Sequence, residues 1–277
     1  MSFTLVGVAH LLPLPAGPRE SPVFGPARLR ALHDASVLSD AGFDAIIIEN
    51  FGDSPFTAGT VDPHVVAFVA ILAAQIRERH PKLHIGINLL RNDARSTMGV
   101  ASAAGADFIR VNVHSGAMVT DQGILQGDAH GTMRYRRELC GREDQRPTQS
   151  RPPGLRTIAP PWVEVAADVM VKHAVPLGDV EIGALAADTA RRGGAGILIV
   201  TGEGTGKPAD PERVQRVREA VPEVPVWLGS GVTAETLPMW TQLAHGAIIG
   251  TALHEDGDVR MPLSLARAMR VRAVVGA

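Results

Sequence analysis

Lysine is nearly missing from this chain: Lys82, Lys172 and Lys207 stand against 24 arginines. Base composition of the coding DNA accounts for the bias, but it leaves few amines for nucleophilic chemistry. Cysteine is scarcer still. The single Cys140 excludes an internal disulfide framework and any multi-cysteine zinc site, and a reducing, cytoplasmic setting is the expectation. Neither sign of charge prevails, with a formal net charge of −2 over 277 residues. No basic footprint marks the chain for nucleic acid or anionic lipid. Long apolar runs are missing too: the longest, Val65–Ala74, has ten residues, where a membrane-spanning helix needs about 20. Met1–Leu14 lacks the basic head of a signal peptide.

What the chain does contain is rhythm. Short apolar strands are predicted at Leu5–His10, Asp44–Glu49, Leu83–Asn88, Phe108–His114, Val163–Val171, Gly196–Thr201, Val226–Gly229 and Ala247–Gly250. Helical patterns lie between them, near Ala27–Ala41, Pro63–Arg79, Arg95–Ala104, Val180–Arg192, Pro211–Ala220, Ala234–Leu243 and Leu263–Val274. Asp62-Pro63 and Asp210-Pro211 read as caps, each with a carboxylate before a proline at the first helical position. Strands alternating with helices argue for a parallel sheet with right-handed crossovers. Eight such units are the number that closes an α/β TIM barrel, (β/α)8, and the length suits one domain. One stretch breaks the rhythm: Gly141–Pro161 is rich in proline and arginine and poor in apolar residues, which reads as a flexible insertion. Arg134–Arg137 before it reads as a helical, solvated basic face.

In such a barrel, chemistry sits at the C-terminal ends of the strands. Polar residues crowd those ends, among them His10, Glu49, Asn50, Asp53, Asn88, Arg91, Arg110, Asn112, His114, Asp168, Lys172, His173 and Thr201. Strand parity sorts them. Ile109, Val111 and Val113 share one face, and Arg110, Asn112 and His114 the other. In the fifth strand Glu164, Asp168 and Lys172 oppose an apolar set. The polar parity should face into the barrel, either as an internal ion-pair network such as Arg110 with Asp168 or as part of a ligand site. Glu49, Asp168, His173, Arg110, Asn112 and Lys172 are the catalytic candidates. Glu49 ends the apolar run Ile46–Ile48 and so sets a carboxyl against an apolar wall. Glu49 and Asp168 could together hold Mg²⁺, although no fixed-spacing metal motif supports it. An imine role for Lys172 needs a depressed pKa, and pairing with Asp168 would push the other way.

The last strands carry glycine-rich ends. "WLGSGV" (Trp227–Val232) and "AIIGTAL" (Ala247–Leu253) would let backbone N–H groups approach an anion, with a short helix after the eighth strand aimed at the same point. Gly229, Ser230, Gly231, Gly250 and Thr251, with Thr201 and Gly202 from the sixth strand's loop, are the phosphate-binding candidates. The alternation of Gly202, Gly204 and Gly206, with Pro208 after Lys207, excludes a P-loop.

At these residues the sequence resembles the BtpA family, also called the BtpA/SgcQ family. The stretches that carry it are "VGVAHLLPLPAGPR" (Val6–Arg19), "DAIIIENFGDSPF" (Asp44–Phe56), "GINLLRNDARS" (Gly86–Ser96), "AGADFIRVNVHSGAMVTDQG" (Ala104–Gly123), "ADVMVKHAVPL" (Ala167–Leu177), "IVTGEGTGKPAD" (Ile199–Asp210), "VWLGSGVT" (Val226–Thr233) and "GAIIGTAL" (Gly246–Leu253). The resemblance implies a TIM-type barrel whose last strands relate to phosphate-binding barrels. The family takes its name from a role in photosystem I accumulation at the thylakoid membrane. Two departures stand out: the 141–161 insertion, and Glu203 where a small residue is expected, since a carboxylate beside a phosphate repels it unless it turns outward.

Three functional classes follow. The first is an enzyme acting on a small phosphorylated ligand, a phosphosugar or nucleotide-like compound, by isomerase, lyase or hydrolase chemistry. The second is a non-catalytic biogenesis or assembly factor for a membrane protein complex. The third is a small-molecule sensor on an inactive barrel. The crowded polar strand ends favour the first. Replacing Asp168 by Asn is expected to abolish turnover and leave the fold intact. The sequence leaves the oligomeric state open, a homo-oligomer included.

Overall fold

A computed structural model describes residues 3–19, 23–141 and 162–275. Eight parallel strands close a barrel: β1 (Thr4–His10), β2 (Ala45–Glu49), β3 (His84–Asn88), β4 (Phe108–Val111), then β7 (Glu164–Met170), β9 (Ile197–Val200), β10 (Val226–Leu228) and β11 (Gly246–Ile249), which pairs back onto β1. All eight expected strands are present, within a few residues of their expected bounds. The outer helices are α1 (Gly25–Asp40), α2 (Pro63–Arg79), α3 (Ala94–Ala104), α4 (Ala129–Cys140), α5 (Ile182–Ala187), α6 (Pro211–Ala220), α7 (Leu237–Leu243) and α8 (Leu265–Val275). The 142–161 part of the proline- and arginine-rich stretch lies outside the described residues.

Local chemistry sets several helix starts. The Asp210 carboxylate accepts from the Glu212 N–H at 2.9 Å ahead of Pro211, as a cap should. Asp62 also precedes its helix, but its side chain accepts no capping hydrogen bond. The basic face at Arg134–Arg137 is helical but not wholly solvated. Arg136 is buried, with its guanidinium 4.3 Å from the centre of the Trp162 ring and 3.3 Å from Glu164.

Two apolar layers divide along strand parity. Outward residues such as Leu5, Ile46, Ile48, Ile85, Ile87 and Val165 pack against the helices. Inward residues Val6, Val8, Ala45, Ile47, Phe108, Ala166, Ile199, Trp227 and Ile248 fill the barrel's lower interior, where Phe108 and Trp227 meet edge to face at 5.6 Å. These side chains plug the floor of the barrel. Above it the same inward parity turns polar at His10, Glu49, Asn88, Arg110 and Asp168, all buried.

One element was not expected. The loops after β4 and β7 join in a small antiparallel sheet of β6 (Gly123–Gln126), β5 (Ala117–Thr120) and β8 (Ala174–Pro176), beside the mouth. Asp121 and Gln122 form the two-residue turn between β5 and β6. Met118 and Leu125 point down into the core, while Val119, Ile124 and Val175 are exposed. This sheet holds the segment carrying Lys172 and His173 against the barrel rim.

Candidate active site

The expected ion pair forms. Arg110 on β4 donates from Nε and Nη2 to Asp168 on β7 at 3.1 and 3.0 Å. Asn112 Nδ2 donates to the same carboxylate at 2.8 Å. All three side chains are buried. Burial opposes the guanidinium charge of Arg110, but Asp168 outweighs it and raises the pKa.

A cavity of about 160 Å³ opens at the C-terminal end of the barrel. One wall is Gly229–Thr233 after β10, and another is Gly250–Ala252 after β11. His10, Glu49, Arg110 and Lys172 close its inner end. A second lobe of about 400 Å³ adjoins it, lined by Arg19, Arg91, Asn112, Asp121 and His173 among others. Glu49, Arg110, Lys172 and Thr205 line both lobes. They stand at the junction.

The glycine-rich wall is held from behind. Ser230 Oγ accepts from the Gly202 N–H and donates to the Lys207 carbonyl, both at 2.9 Å. Gly231 has φ +71°, and a Cβ there would overlap the backbone of Lys207 and Pro208. Only glycine fits that position. No hydrogen bond among the described residues occupies the backbone N–H of Ser230, Gly231, Val232 or Gly250. The expected short helix after the eighth strand is a single 3₁₀ turn, Thr251–Leu253.

Several expected site residues fall elsewhere. Thr201 and Gly202 line neither lobe: the Thr201 hydroxyl donates to the Met170 carbonyl and the Gly202 N–H to Ser230, so both support the loop and neither faces the cavity. Asp168 lines neither lobe, because Arg110 and Asn112 occupy both its oxygens. That engagement turns the carboxylate onto Arg110 and Asn112, outside the cavity that Glu49 lines, which counts against a Mg²⁺ shared by the two. Among the described residues, no three of His, Cys, Asp and Glu gather as metal ligands. His114 departs from the inward parity because β4 ends at Val111, and its Nε2 contacts the Gly193 carbonyl at 2.9 Å on the helix side. Glu203 is exposed and lines neither lobe, so its carboxylate turns away from the glycine wall.

His173 serves the loop after β9. The Thr205 N–H donates to its Nε2 at 3.3 Å, which ties that loop to the β7–β8 segment. Glu49 Oε2 accepts from Asn88 Nδ2 at 2.7 Å, which aims the other oxygen elsewhere. Lys172 is only partly buried and makes no ion pair within 4 Å among the described residues. The expected Asp168–Lys172 pair does not form, because Asp168 is already taken. Burial lowers the Lys172 pKa; Arg110 and Arg91 add to that, while Glu49 and Asp168 oppose it.

A residue missing from the catalytic candidates emerges at the cavity floor. His10 Nδ1 lies 3.0 Å from His254 Nε2, and His254 Nδ1 lies 2.7 Å from the Met261 carbonyl. Arg30 Nη2 also lies 3.2 Å from His254 Nδ1, but the carbonyl is the shorter contact and needs a donor, so His254 carries its proton on Nδ1 and accepts on Nε2. His10 must then donate from Nδ1, which leaves its Nε2 with a free lone pair, 4.0 Å from Glu49 Oε1. Burial and the neighbouring His254 hold the His10 pKa well down, so the ring is neutral. The partner lies 244 positions along the chain, beyond the reach of any local motif.

With fold and site described, comparison with known proteins is decisive on one point. The BtpA family model matches residues 1–276. The chain belongs to the BtpA family. A BtpA relative, the photosystem I biogenesis protein BtpA of Synechocystis sp., is 38% identical over 92% of this chain and 82% of that one. An uncharacterized protein of Thermococcus kodakarensis is 40% identical, covering 96% of this chain and 93% of its own. Solved structures share the BtpA fold. Phosphoribosyl anthranilate isomerase from Thermus thermophilus superposes with TM-score 0.54 at 12% identity, covering 99% and 98% of the two chains. Orotidine 5'-monophosphate decarboxylase from Methanocaldococcus jannaschii gives TM-score 0.54 at 13% identity, covering 98% of each. Identities this low show the fold alone. Among the described residues, no helix is long and apolar enough to cross a membrane.

Proposed function

We propose that this BtpA-family barrel is an enzyme acting on a small phosphorylated ligand at the C-terminal mouth. The observation that carries the proposal is the glycine wall. The residues Ser230, Gly231, Val232 and Gly250 line one cavity, and their backbone N–H groups have no internal partner. Buried donors are almost always satisfied, so a cluster of free ones on a cavity wall is an anion site. Arg110 at the same cavity adds positive potential. The solved structures of like fold support the reading by their names, which denote a phosphoribosyl compound and a nucleoside monophosphate.

The junction residues divide the remaining work. Ser230, Gly231, Gly250 and Thr251 hold the phosphate, whereas the Gly229 N–H, a phosphate-binding candidate on the sequence, donates to the Val200 carbonyl at 2.9 Å and cannot reach it. The free lone pair of His10 and the carboxyl of Glu49 accept and return a substrate proton. Arg110 stabilises developing negative charge, and Asp168 and Asn112 hold its guanidinium in place. A sensor would need a ligand pocket but not a proton-transfer pair at its floor, and a biogenesis factor would need neither.

Titration calorimetry with inorganic phosphate and ribose 5-phosphate, followed by a turnover screen of phosphosugars and nucleotides, tests the proposal. Phosphate binding that Ser230→Ala weakens, with turnover that His10→Gln and Glu49→Gln abolish, is the expected outcome. No phosphate binding at millimolar concentration overturns the phosphate reading. Binding without turnover of any member of the screen overturns the enzymatic one and favours the sensor.

A further inference from the structure

Lysine is rare in this chain, and one of its three lysines stands at the junction of both lobes. Lys172 follows β7, where the β5–β8 pairing holds the segment against the rim. Buried or half-buried lysines usually find a carboxylate. This one has none within 4 Å, although Glu49 and Asp168 are both near enough to be felt electrostatically. Each acid is otherwise engaged. Asp168 accepts three hydrogen bonds from Arg110 and Asn112, and Glu49 accepts one from Asn88. The charged groups facing the amine from other elements include two guanidiniums, Arg110 from β4 and Arg91 from the loop after β3. Arg91 is itself fixed there, donating from Nη2 to the Lys172 carbonyl at 2.7 Å. A half-buried amine that shares its surroundings with Arg110 and Arg91 as well as Glu49 and Asp168, and that pairs with no carboxylate among the described residues, gives up its proton more readily than a solvated lysine, and burial pushes its pKa down. A neutral amine is a nucleophile.

We propose that Lys172 forms an imine with the carbonyl carbon of a phosphorylated aldehyde or ketone whose phosphate sits on the glycine wall. The proposal rests on the phosphate reading for the ligand's anchor, and on Lys172 for its chemistry. The Nζ lone pair forms the C–N bond as the carbonyl π pair moves onto oxygen. An amine proton passes to that oxygen, giving the carbinolamine. Nitrogen then expels the hydroxyl, which takes a proton that Glu49 relays from solvent and leaves as water. The net change is one C–N double bond made, the C–O double bond broken, one solvent proton taken up and one water released. The protonated imine draws electrons from the adjacent carbon, where the neutral His10 can take a proton. Isomerase and lyase steps at that carbon follow from the same intermediate.

The other lysines serve as internal controls, since Lys82 and Lys207 are both exposed. The full chain is incubated with glycolaldehyde phosphate at pH 7, reduced with borohydride, and digested for peptide mapping of the three lysines. Lys172 should be labelled at least about tenfold faster than either control, because a phosphate held on the glycine wall raises the local concentration of the aldehyde beside its amine. Inorganic phosphate should slow its labelling and leave Lys82 unchanged. Lys172→Met should lose the fast label while still binding phosphate. If Lys172 is labelled no faster than Lys82 while phosphate still binds, the imine proposal falls and the phosphate reading stands. If Lys172 is labelled fast by both glycolaldehyde and its phosphate, with no protection by inorganic phosphate, the nucleophile stands and the phosphate reading falls.

Discussion

Replacing Asp168 by Asn is the sharpest single perturbation of this barrel. The carboxylate accepts from Arg110 twice and from Asn112 once, at 2.8 to 3.1 Å, with all three side chains buried. The amide keeps one acceptor and turns an NH₂ toward the guanidinium. Arg110 is left as a buried, uncompensated charge. Breaking one partner of such a pair costs about 3–5 kcal/mol, a large share of the roughly 5–15 kcal/mol that holds a domain folded. With a urea dependence of about 3 kcal/mol per molar, the unfolding midpoint should fall by about 1 M or more. Adding Arg110→Met removes the orphaned charge and fills its volume with an apolar chain, which should recover at least about half the loss. The expectation of lost turnover on an intact fold therefore gives way to a coupled loss of stability and of the Arg110 position. Urea unfolding of the wild type, both single variants and the double variant completes the cycle. An Asp168→Asn midpoint within about 0.2 M of wild type, or no recovery in the double variant, would refute the reasoning.

Three further outcomes are expected. Gly231→Ala forces a Cβ onto a position at φ +71° that faces the Lys207 and Pro208 backbone, so stability should drop by about 2 kcal/mol or more and phosphate binding should vanish in calorimetry. Ser230→Ala strands the Gly202 N–H and the Lys207 carbonyl at a cost of about 1–3 kcal/mol; an unchanged urea midpoint would show that solvent already serves both groups. His10, His114 and His254 are buried, and burial lowers the pKa of each. The unfolded chain therefore takes up protons near the ordinary histidine value while the folded chain does not. Stability should be full above about pH 6.5 and fall below it, by up to about 1.4 kcal/mol per pH unit for each ring. A urea midpoint that stays flat from pH 7 to 5.5 would contradict a neutral trio.

How far the chain's own order reached can be read from particular residues. Period-two alternation places Arg110 and Asp168 on the inward side of their strands, since a strand residue can face only one of two ways. The alternation of strand and helix counts to eight, and eight such units close. The caps and glycine-rich ends are written within a few positions of where they act. These features are local, and local chemistry determines them. Other parts depend on who meets whom across the barrel. His10 draws its proton arrangement from His254, which lies on the other side of the chain's length. Asp168 reads as a catalytic acid until Arg110 and Asn112 take both its oxygens. Thr201 and Gly202 read as phosphate ligands until their hydrogen bonds turn them toward Met170 and Ser230. The small sheet beside the mouth went unread, because the β5–β8 pairing joins segments more than 50 residues apart. Lys172 is the clearest case. Its scarcity is a fact of composition, but its lack of a carboxylate within 4 Å among the described residues exists only because the barrel closes with Asp168 turned onto Arg110 and Asn112, and the geometry of that pair points the carboxylate away from the amine.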